Sequence, residues 1–357
     1  MREIFIKMVP DQIADLQRHV ANVQPDVLVV EPSLGAAAAA VHDRCGLPWV
    51  TLGIGALMVK SADTAPFGLG LKPLAGPVGR ARNRVLNTLV DRTLFRSVDA
   101  EYRAMCARAG ITAHPDGLFA TTLSPYLYLQ PTVPAFEYPR SDLPAQVEFV
   151  GPHLPAAPAD LELPAWWDAL LADDRPVVLV TQGTIATDPD ELLLPTLEAL
   201  RDEPVQVVAV TGGPDPALLP PAPVNARVAR DVPFAALMPH VDVYVTNGGY
   251  GGLHHALGHG VPVLSVGATE DKPELAARVG WSGAGLGMRA QRAKPAKVRA
   301  AVRRLLSEPR FRQRAQAIAA DLAAAGGPGR SADLLERVAY EASAAGRSAR
   351  PLTGASS

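Results

Sequence analysis

Cysteine is nearly absent from this chain. Cys45 and Cys106 are its two cysteines in 357 residues, far apart and without metal-ligand spacing. That excludes a disulfide framework and points to a reducing compartment. Neither sign of charge is in excess: the formal net charge is −2, so no global field favours nucleic acid or an anionic membrane. Long apolar runs are missing as well. No stretch approaches a membrane span, and Met1-Arg2-Glu3-Ile4-Phe5-Ile6-Lys7 lacks the apolar centre of a signal peptide. These absences predict a cytoplasmic protein. The length exceeds one ordinary core and predicts two domains.

What the chain does have is a concentrated glycine motif. Val243-Tyr244-Val245-Thr246 is a short β-branched, aromatic run, and Asn247-Gly248-Gly249-Tyr250-Gly251-Gly252 follows before a helical pattern begins at Leu253. Strand, glycine loop and helix N-terminus together offer unpaired N–H groups and a positive dipole end to a phosphate. Glycines let a ligand approach the main chain with no Cβ in the way. A tight strand-to-helix turn would look similar in any α/β domain, so the flanks decide.

The flanks read as two α/β series. Ile4-Phe5-Ile6 is strand-like, and residues 11–23 have Ile13, Leu16, Val20 and Val23 at helical spacing. Pro25 to Glu31 is an apolar run of the kind buried on both faces of a parallel sheet. An alanine-rich helix to Cys45 and the strand 48–52 complete a βαβ unit. Residues 53–79 form a long Gly/Pro loop, a length that is usually functional. Residues 80–108 read as one basic helix with the apolar pairs Val85/Leu89, Leu86/Val90 and Leu94/Val98. Its arginines form either a solvated face or a docking surface for a membrane or an acidic partner. Residues 1–150 are thus a first domain and the proline-rich segment 151–164 a linker. Residues 165–330 are a second α/β domain, 331–344 a C-terminal helix, and 345–357 a disordered tail.

The second half resembles the nucleotide-binding domain of GT-B glycosyltransferases, within the UDP-glucuronosyltransferase-like family of macrolide and natural-product enzymes (family 1). Val180-Thr181-Gln182-Gly183-Thr184 is similar to the first strand of that domain and its phosphate-side turn. Residues 228–240 stand where the base-framing loop stands, and Asn247 to Gly252 where the diphosphate loop stands. Glu270-Asp271-Lys272-Pro273 resembles the pair that holds the sugar hydroxyls. The resemblance implies an α/β fold with two Rossmann-like domains facing a cleft. It implies donor contacts from Gly183, Thr184, Asn247, Gly248, Gly249, Tyr250, Gly251, Gly252, Asp271 and Lys272. It implies no metal and no cofactor, the nucleotide-sugar being a substrate.

Three departures stand out. Asn247 replaces the usual His of the loop, and Lys272 replaces a common Gln, a cation that suggests an acidic donor sugar. Asp231-Val232-Pro233-Phe234 replaces the usual base-stacking aromatic and Pro-Gln, which leaves uridine and thymidine both open. Asp188-Pro189-Asp190 matches a metal-binding Asp-x-Asp formally but reads as an ordinary helix start. His254 and His255 read as packing or helix-surface residues, and His19 as structural.

Relatives remove the acceptor proton with a His on the first loop, steadied by a carboxylate. Glu31 stands in the place of that carboxylate; the His has no counterpart. The first domain therefore reads as N-terminally truncated, with the natural polypeptide expected to extend upstream by roughly 100 residues. The function expected is inverting transfer of a sugar from a UDP- or dTDP-sugar to a hydroxyl of a hydrophobic small-molecule acceptor. The alternatives are a non-catalytic sugar-nucleotide-binding relative or auxiliary partner of a glycosyltransferase, and another nucleotide-using α/β enzyme. Against a dehydrogenase, no Gly-x-Gly-x-x-Gly opens the chain with an acidic residue about 20 positions on.

Overall fold

Two parallel sheets organise the chain. The computed structural model describes residues 3–155, 163–183 and 187–348. The first sheet contains β1 (Leu28–Val30), β2 (Trp49–Leu52), β3 (Tyr128–Gln130) and β4 (Val147–Phe149), in the order β1-β2-β3-β4. The helix α2 (Gly35–Cys45) packs on it, and α1 (Val9–Val23) packs on α2. The small side chains of α2 let it lie close: Ala37, Ala38 and Val41 are fully buried.

Three expectations fail in this half. Ile4-Phe5-Ile6 is not a strand but part of a π-helical turn, Glu3–Lys7. A strand needs a partner, and Ile6 is instead buried against Val9, Ile13 and Tyr102. The apolar run at β1 is not covered on both faces, since Val29 is 45% exposed; among the described residues it pairs with β2 alone, at the sheet edge, as a first domain lacking its opening strand would have it. The basic helix begins earlier than expected, as α3 (Gly76–Val90), and passes through a π-helical turn at Asp91–Phe95 into α4 (Arg96–Ala109). Its expected core pair Val85/Leu89 is exposed, as is Leu94, while Val98 and Tyr102 of α4 supply the buried contacts.

The second sheet contains β5 (Val177–Thr181), β6 (Gln206–Val210), β7 (Ala226–Ala229), β8 (Val243–Thr246), β9 (Val263–Val266) and β10 (Gly285–Met288). Their order is β10-β9-β8-β5-β6-β7. Five helices cover it: α6 (Leu193–Leu200), α8 (Tyr250–Gly258), α9 (Lys272–Ser282), α10 (Pro295–Ser307) and α11 (Pro309–Ala324), with short α5 (Trp167–Leu171) and α7 (Phe234–Leu237) between them. Alternate residues of β5 and β8 enter cores on opposite faces, Leu179 and Tyr244 on one, Val178, Val180, Val243 and Val245 on the other. That two-sided burial is why these strands read as continuous apolar runs. β7 escaped the sequence reading because it is four residues long and directly follows a proline-rich loop.

The last helix, α12 (Gly327–Ser348), returns to the first sheet. Its Leu334 and Val338 pack against Val50, Leu127 and Leu129, and the Gly327 N–H donates to the Val150 carbonyl at 2.6 Å. The helix continues through residues 345–348, where a tail was expected. Half of the central linker, 156–162, and the end of the chain, 349–357, lie outside the described residues.

Candidate functional site

In the second sheet the chain runs outward in both directions from β5: β6 and β7 lie on one side, β8, β9 and β10 on the other. The crevice at the carboxyl ends of β5 and β8 is the topological switch point, where ligands bind in such sheets. Gln182 and Gly183 leave β5 there, and Asn247 and Gly248 leave β8. The two ends are tied together, since Asn247 Nδ2 donates to the Gln182 carbonyl. Gly183 has φ of 92°, and a Cβ there would lie 3.0 Å from Asn247 Nδ2. Thr184, the hydroxyl expected from this turn, lies outside the described residues.

The glycines of the loop divide by what surrounds them. No described residue has an atom within 4 Å of where a Cβ would stand on Gly249 or Gly251, so among the described residues this side of the helix start is open. Gly248 takes φ of 100°, which disfavours other residues there. Gly252 faces inward: its Cβ would stand 2.5 Å from the Tyr244 hydroxyl, so glycine is required for packing rather than for a ligand. The Gly248 N–H is occupied by Thr246 Oγ1 at 3.2 Å, and helical bonding begins with Leu253 donating to Gly249. The N–H groups of residues 249–252 are therefore the ones a helix start leaves for an anion.

Tyr250 does not point at that opening. Its side chain is half-buried, and its hydroxyl accepts from Gln130 Nε2 at 2.7 Å, on the end of β3 in the first sheet. One turn later His254 makes a second contact across the domains, with Nε2 2.7 Å from Thr132 Oγ1 and Nδ1 2.9 Å from the Tyr250 carbonyl. Burial pushes the His254 imidazole down to about 4, so it is neutral at pH 7. His255 is half-buried beside Phe234, with ring centroids 5.7 Å apart. His19 is exposed on α1.

Asp271 sits at the N-terminus of α9, where its side chain makes no capping bond. The carboxylate instead faces the first domain: a Cβ on Gly55 would stand 3.4 Å from Asp271 Oδ2. Burial pushes its pKa up, with Glu270 adding to the effect, while Lys272 and Arg278 oppose it. Lys272 is buried, and it lines a small pocket at the switch point with Gln182, Asn247 and Thr269. Its Nζ donates to Glu270 Oε2 at 2.6 Å and to Thr269 Oγ1 at 3.3 Å. Glu270 holds a left-handed φ of 55° to meet it. Beneath the loop, the buried Gln182 Nε2 and Ser265 Oγ have no hydrogen-bond partner among the described residues.

Glu31 follows β1 and its carboxylate accepts from Ser33 Oγ. Among the described residues no histidine bonds to it. Asp190 of the Asp-x-Asp sequence pairs with Arg292 at 2.9 Å, and Asp188 accepts from the Asp190 N–H. A cavity of about 600 Å³ lies on the other side of α9, against β10 and α11, and no residue of the glycine loop lines it.

Sequence reasoning missed Gln130, Thr132, Glu137 and Arg278, which join the two domains around this site. Burial alone would raise the Glu137 pKa, but Arg278 and Arg140 outweigh it and hold the carboxyl below its usual range. The only local signal was the spacing of Glu274 and Arg278, four apart on one helix, which is equally a surface pair.

Comparison with known proteins bears on the family and the fold. A family model described as "Erythromycin biosynthesis protein CIII-like, C-terminal domain" matches residues 192–338. The 4'-demethylrebeccamycin synthase of Lentzea aerocolonigenes is 45% identical over 336 residues, 94% of this chain and 79% of that protein. UDP-glucosyltransferase A1 of Starmerella bombicola is 32% identical over 90% of this chain and 71% of its own length. Among solved structures, the glycotransferase of kitacinnamycin superposes with a TM-score of 0.68 at 23% identity, over 92% of this chain and 80% of that one. That last likeness shows the fold, two Rossmann-like domains around a cleft, as the sequence had implied. Identity and coverage together settle the family: this chain belongs to the GT-B glycosyltransferases, among the UDP-glycosyltransferase-like enzymes of natural-product biosynthesis.

Proposed function

We propose that the chain moves a sugar from a UDP- or dTDP-sugar to a hydroxyl of a hydrophobic small molecule, with inversion. The observation that carries this reading is the open helix start at Gly249–Gly251, set at the switch point of the second sheet with the uncapped carboxylate of Asp271 at the start of α9. The N–H groups of residues 249–252 receive the diphosphate and stabilise the charge that builds as the anomeric carbon–oxygen bond breaks. Asp271 accepts hydrogen bonds from the sugar hydroxyls. Phe234, packed edge-on to Tyr244 beside His255, frames the base. The acceptor oxygen forms the new bond to the anomeric carbon from the opposite face, and its proton passes to a general base that Glu31 would orient. The reading calls on no cofactor and no metal.

A second reading, a relative that binds the sugar nucleotide without turnover, draws on one observation. The Glu31 carboxylate is bonded to Ser33 rather than to a histidine. Release of free UDP or dTDP from a panel of nucleotide-sugars, with a hydrophobic aglycone present, separates the two. Turnover supports transfer; binding without release supports the second reading; no binding overturns both.

No described helix is long and apolar enough to cross a membrane. We place the protein in the cytoplasm on the strength of its sparse, unpaired cysteines. Val78, Val85 and Leu89 are exposed on α3 among arginines, which supports a weak peripheral membrane contact.

A further inference from the structure

The face of α9 that begins at Asp271 continues, one turn apart, through Glu274 and Arg278. Arg278 reaches into the first domain. Its Nε and Nη2 donate to Glu137 at 2.7–3.1 Å, and its Nη1 donates to Glu274 Oε2 at 2.8 Å. Arg140 adds a bond to Glu137 at 3.2 Å. The four side chains are each no more than 5% exposed and balance in charge. A buried network of this kind is specific because its donors and acceptors are matched: a bidentate guanidinium cannot be replaced by an ammonium, and losing one partner strands a charge.

The remaining carboxylate capacity is used to hold one stretch of the long first-domain loop. Glu137 Oε2 accepts from the Leu57 N–H at 3.1 Å, and Glu274 Oε1 accepts from the N–H groups of Gly68 and Gly70 at 2.9 and 2.7 Å. At Gly70, with φ of 62°, a Cβ would stand 2.8 Å from the Pro273 carbonyl, so the loop crosses directly over the start of α9. At the other end, Gln130 Nε2 donates to the Gly55 carbonyl, and Gly55 is the residue that lies against Asp271.

We propose that the Glu137–Arg278–Glu274 network is a positioning element for donor-sugar recognition: it holds residues 55–70 of the first domain against the helix that presents Asp271. Recognition of the sugar, as distinct from the nucleotide, then depends on it. The nucleotide diphosphate is gripped by the glycine loop, which the network does not touch. This inference rests on the proposed donor site.

The test is calorimetric binding of UDP and UDP-glucose, with dTDP and dTDP-glucose in parallel, to the wild type, Arg278→Met, Arg278→Lys and Glu274→Gln. Amide exchange of residues 55–70 is followed in each. Arg278→Met is expected to keep nucleotide affinity within about threefold while the preference for the nucleotide-sugar falls about tenfold and exchange accelerates. Arg278→Lys should not rescue, because one ammonium cannot reproduce the fork. Glu274→Gln, which keeps Arg278 paired with Glu137, should give a smaller loss in the same direction. It decides the matter if Arg278→Met does not fold. An unchanged sugar preference alongside faster exchange would overturn the proposal, as would a wild type with no sugar preference. A wild type that binds none of the four ligands would instead overturn the donor site itself.

Discussion

His254 on α8 and Thr132, just beyond β3, meet across the two domains with Nε2 and Oγ1 2.7 Å apart, one turn along the helix that starts at the glycine loop. The imidazole is kept neutral by burial, which pulls its pKa from 6.5 to about 4. Between those values the unfolded chain binds a proton that the folded chain does not. Stability from this group is therefore intact above about 6.5 and is lost as pH falls toward 4, at up to ~1.4 kcal/mol per pH unit. His254→Gln keeps a polar partner for Thr132 and removes the titration. Thermal midpoints at pH 7.5 and 5 should fall less on acidification in the variant; an equal fall would mean that His254 is not the group responsible.

The glycine loop divides into a ligand side and a packing side, and substitution should separate them. Gly249→Leu projects into open space and should weaken UDP binding at least tenfold with little change in thermal midpoint. Gly252→Ala should do the reverse, destabilising by ~1–3 kcal/mol through overpacking against the Tyr244 hydroxyl. Tyr244→Phe removes that oxygen, at the expense of its 2.8 Å bond to Thr181. The double variant Gly252→Ala/Tyr244→Phe should therefore lose less than the two single changes added together. Additive losses would show that Gly252 is there for another reason.

Among the described residues β1 has no partner on its outer edge, and Val29 is exposed there. Unpaired N–H and carbonyl groups beside an apolar side chain template association. Val29→Lys should lower concentration-dependent self-association in sedimentation velocity while UDP affinity stays unchanged. Equal association in both proteins would exonerate this edge.

What could be read from the sequence was what is local. β8, the glycine loop and α8 are contiguous, so the pattern of apolar run, glycines and helical spacing carried the strand–loop–helix element on which the proposed donor site rests, without any long-range contact. Asp271 was equally visible, as the first turn of a helix after a buried strand. Pairing across distance was not. Glu137 and Arg278 are 141 positions apart, and nothing near Glu137 marks it as buried, since it sits in the loop after β3. Ile4-Phe5-Ile6 has strand composition, but a strand exists only where a neighbour offers its edge. Tyr250 reads as part of the glycine loop because of its neighbours; its side chain bonds to Gln130 across the domain interface.

Lys272 is where residue identity and geometry point in different directions. Its charge suggests a donor sugar with a carboxylate, yet Nζ is already bonded to Glu270 and the side chain is nearly buried. Glu270, on the rim and 59% exposed, neutralises the cation from a left-handed backbone conformation. An ammonium so paired offers little attraction to an anionic donor. Lys272→Gln should therefore shift the ratio of UDP-glucose to UDP-glucuronate affinity by less than about threefold, whereas a cation that contacts the donor carboxylate would be missed by tenfold or more. Glu270→Gln supplies the converse. It leaves the ammonium unpaired, should lower stability modestly because the pair is partly solvated, and should raise relative affinity for UDP-glucuronate. If Lys272→Gln abolishes glucuronate binding while Glu270→Gln leaves it unaltered, the lysine reads the donor directly and Glu270 is not its counter-charge in the bound state.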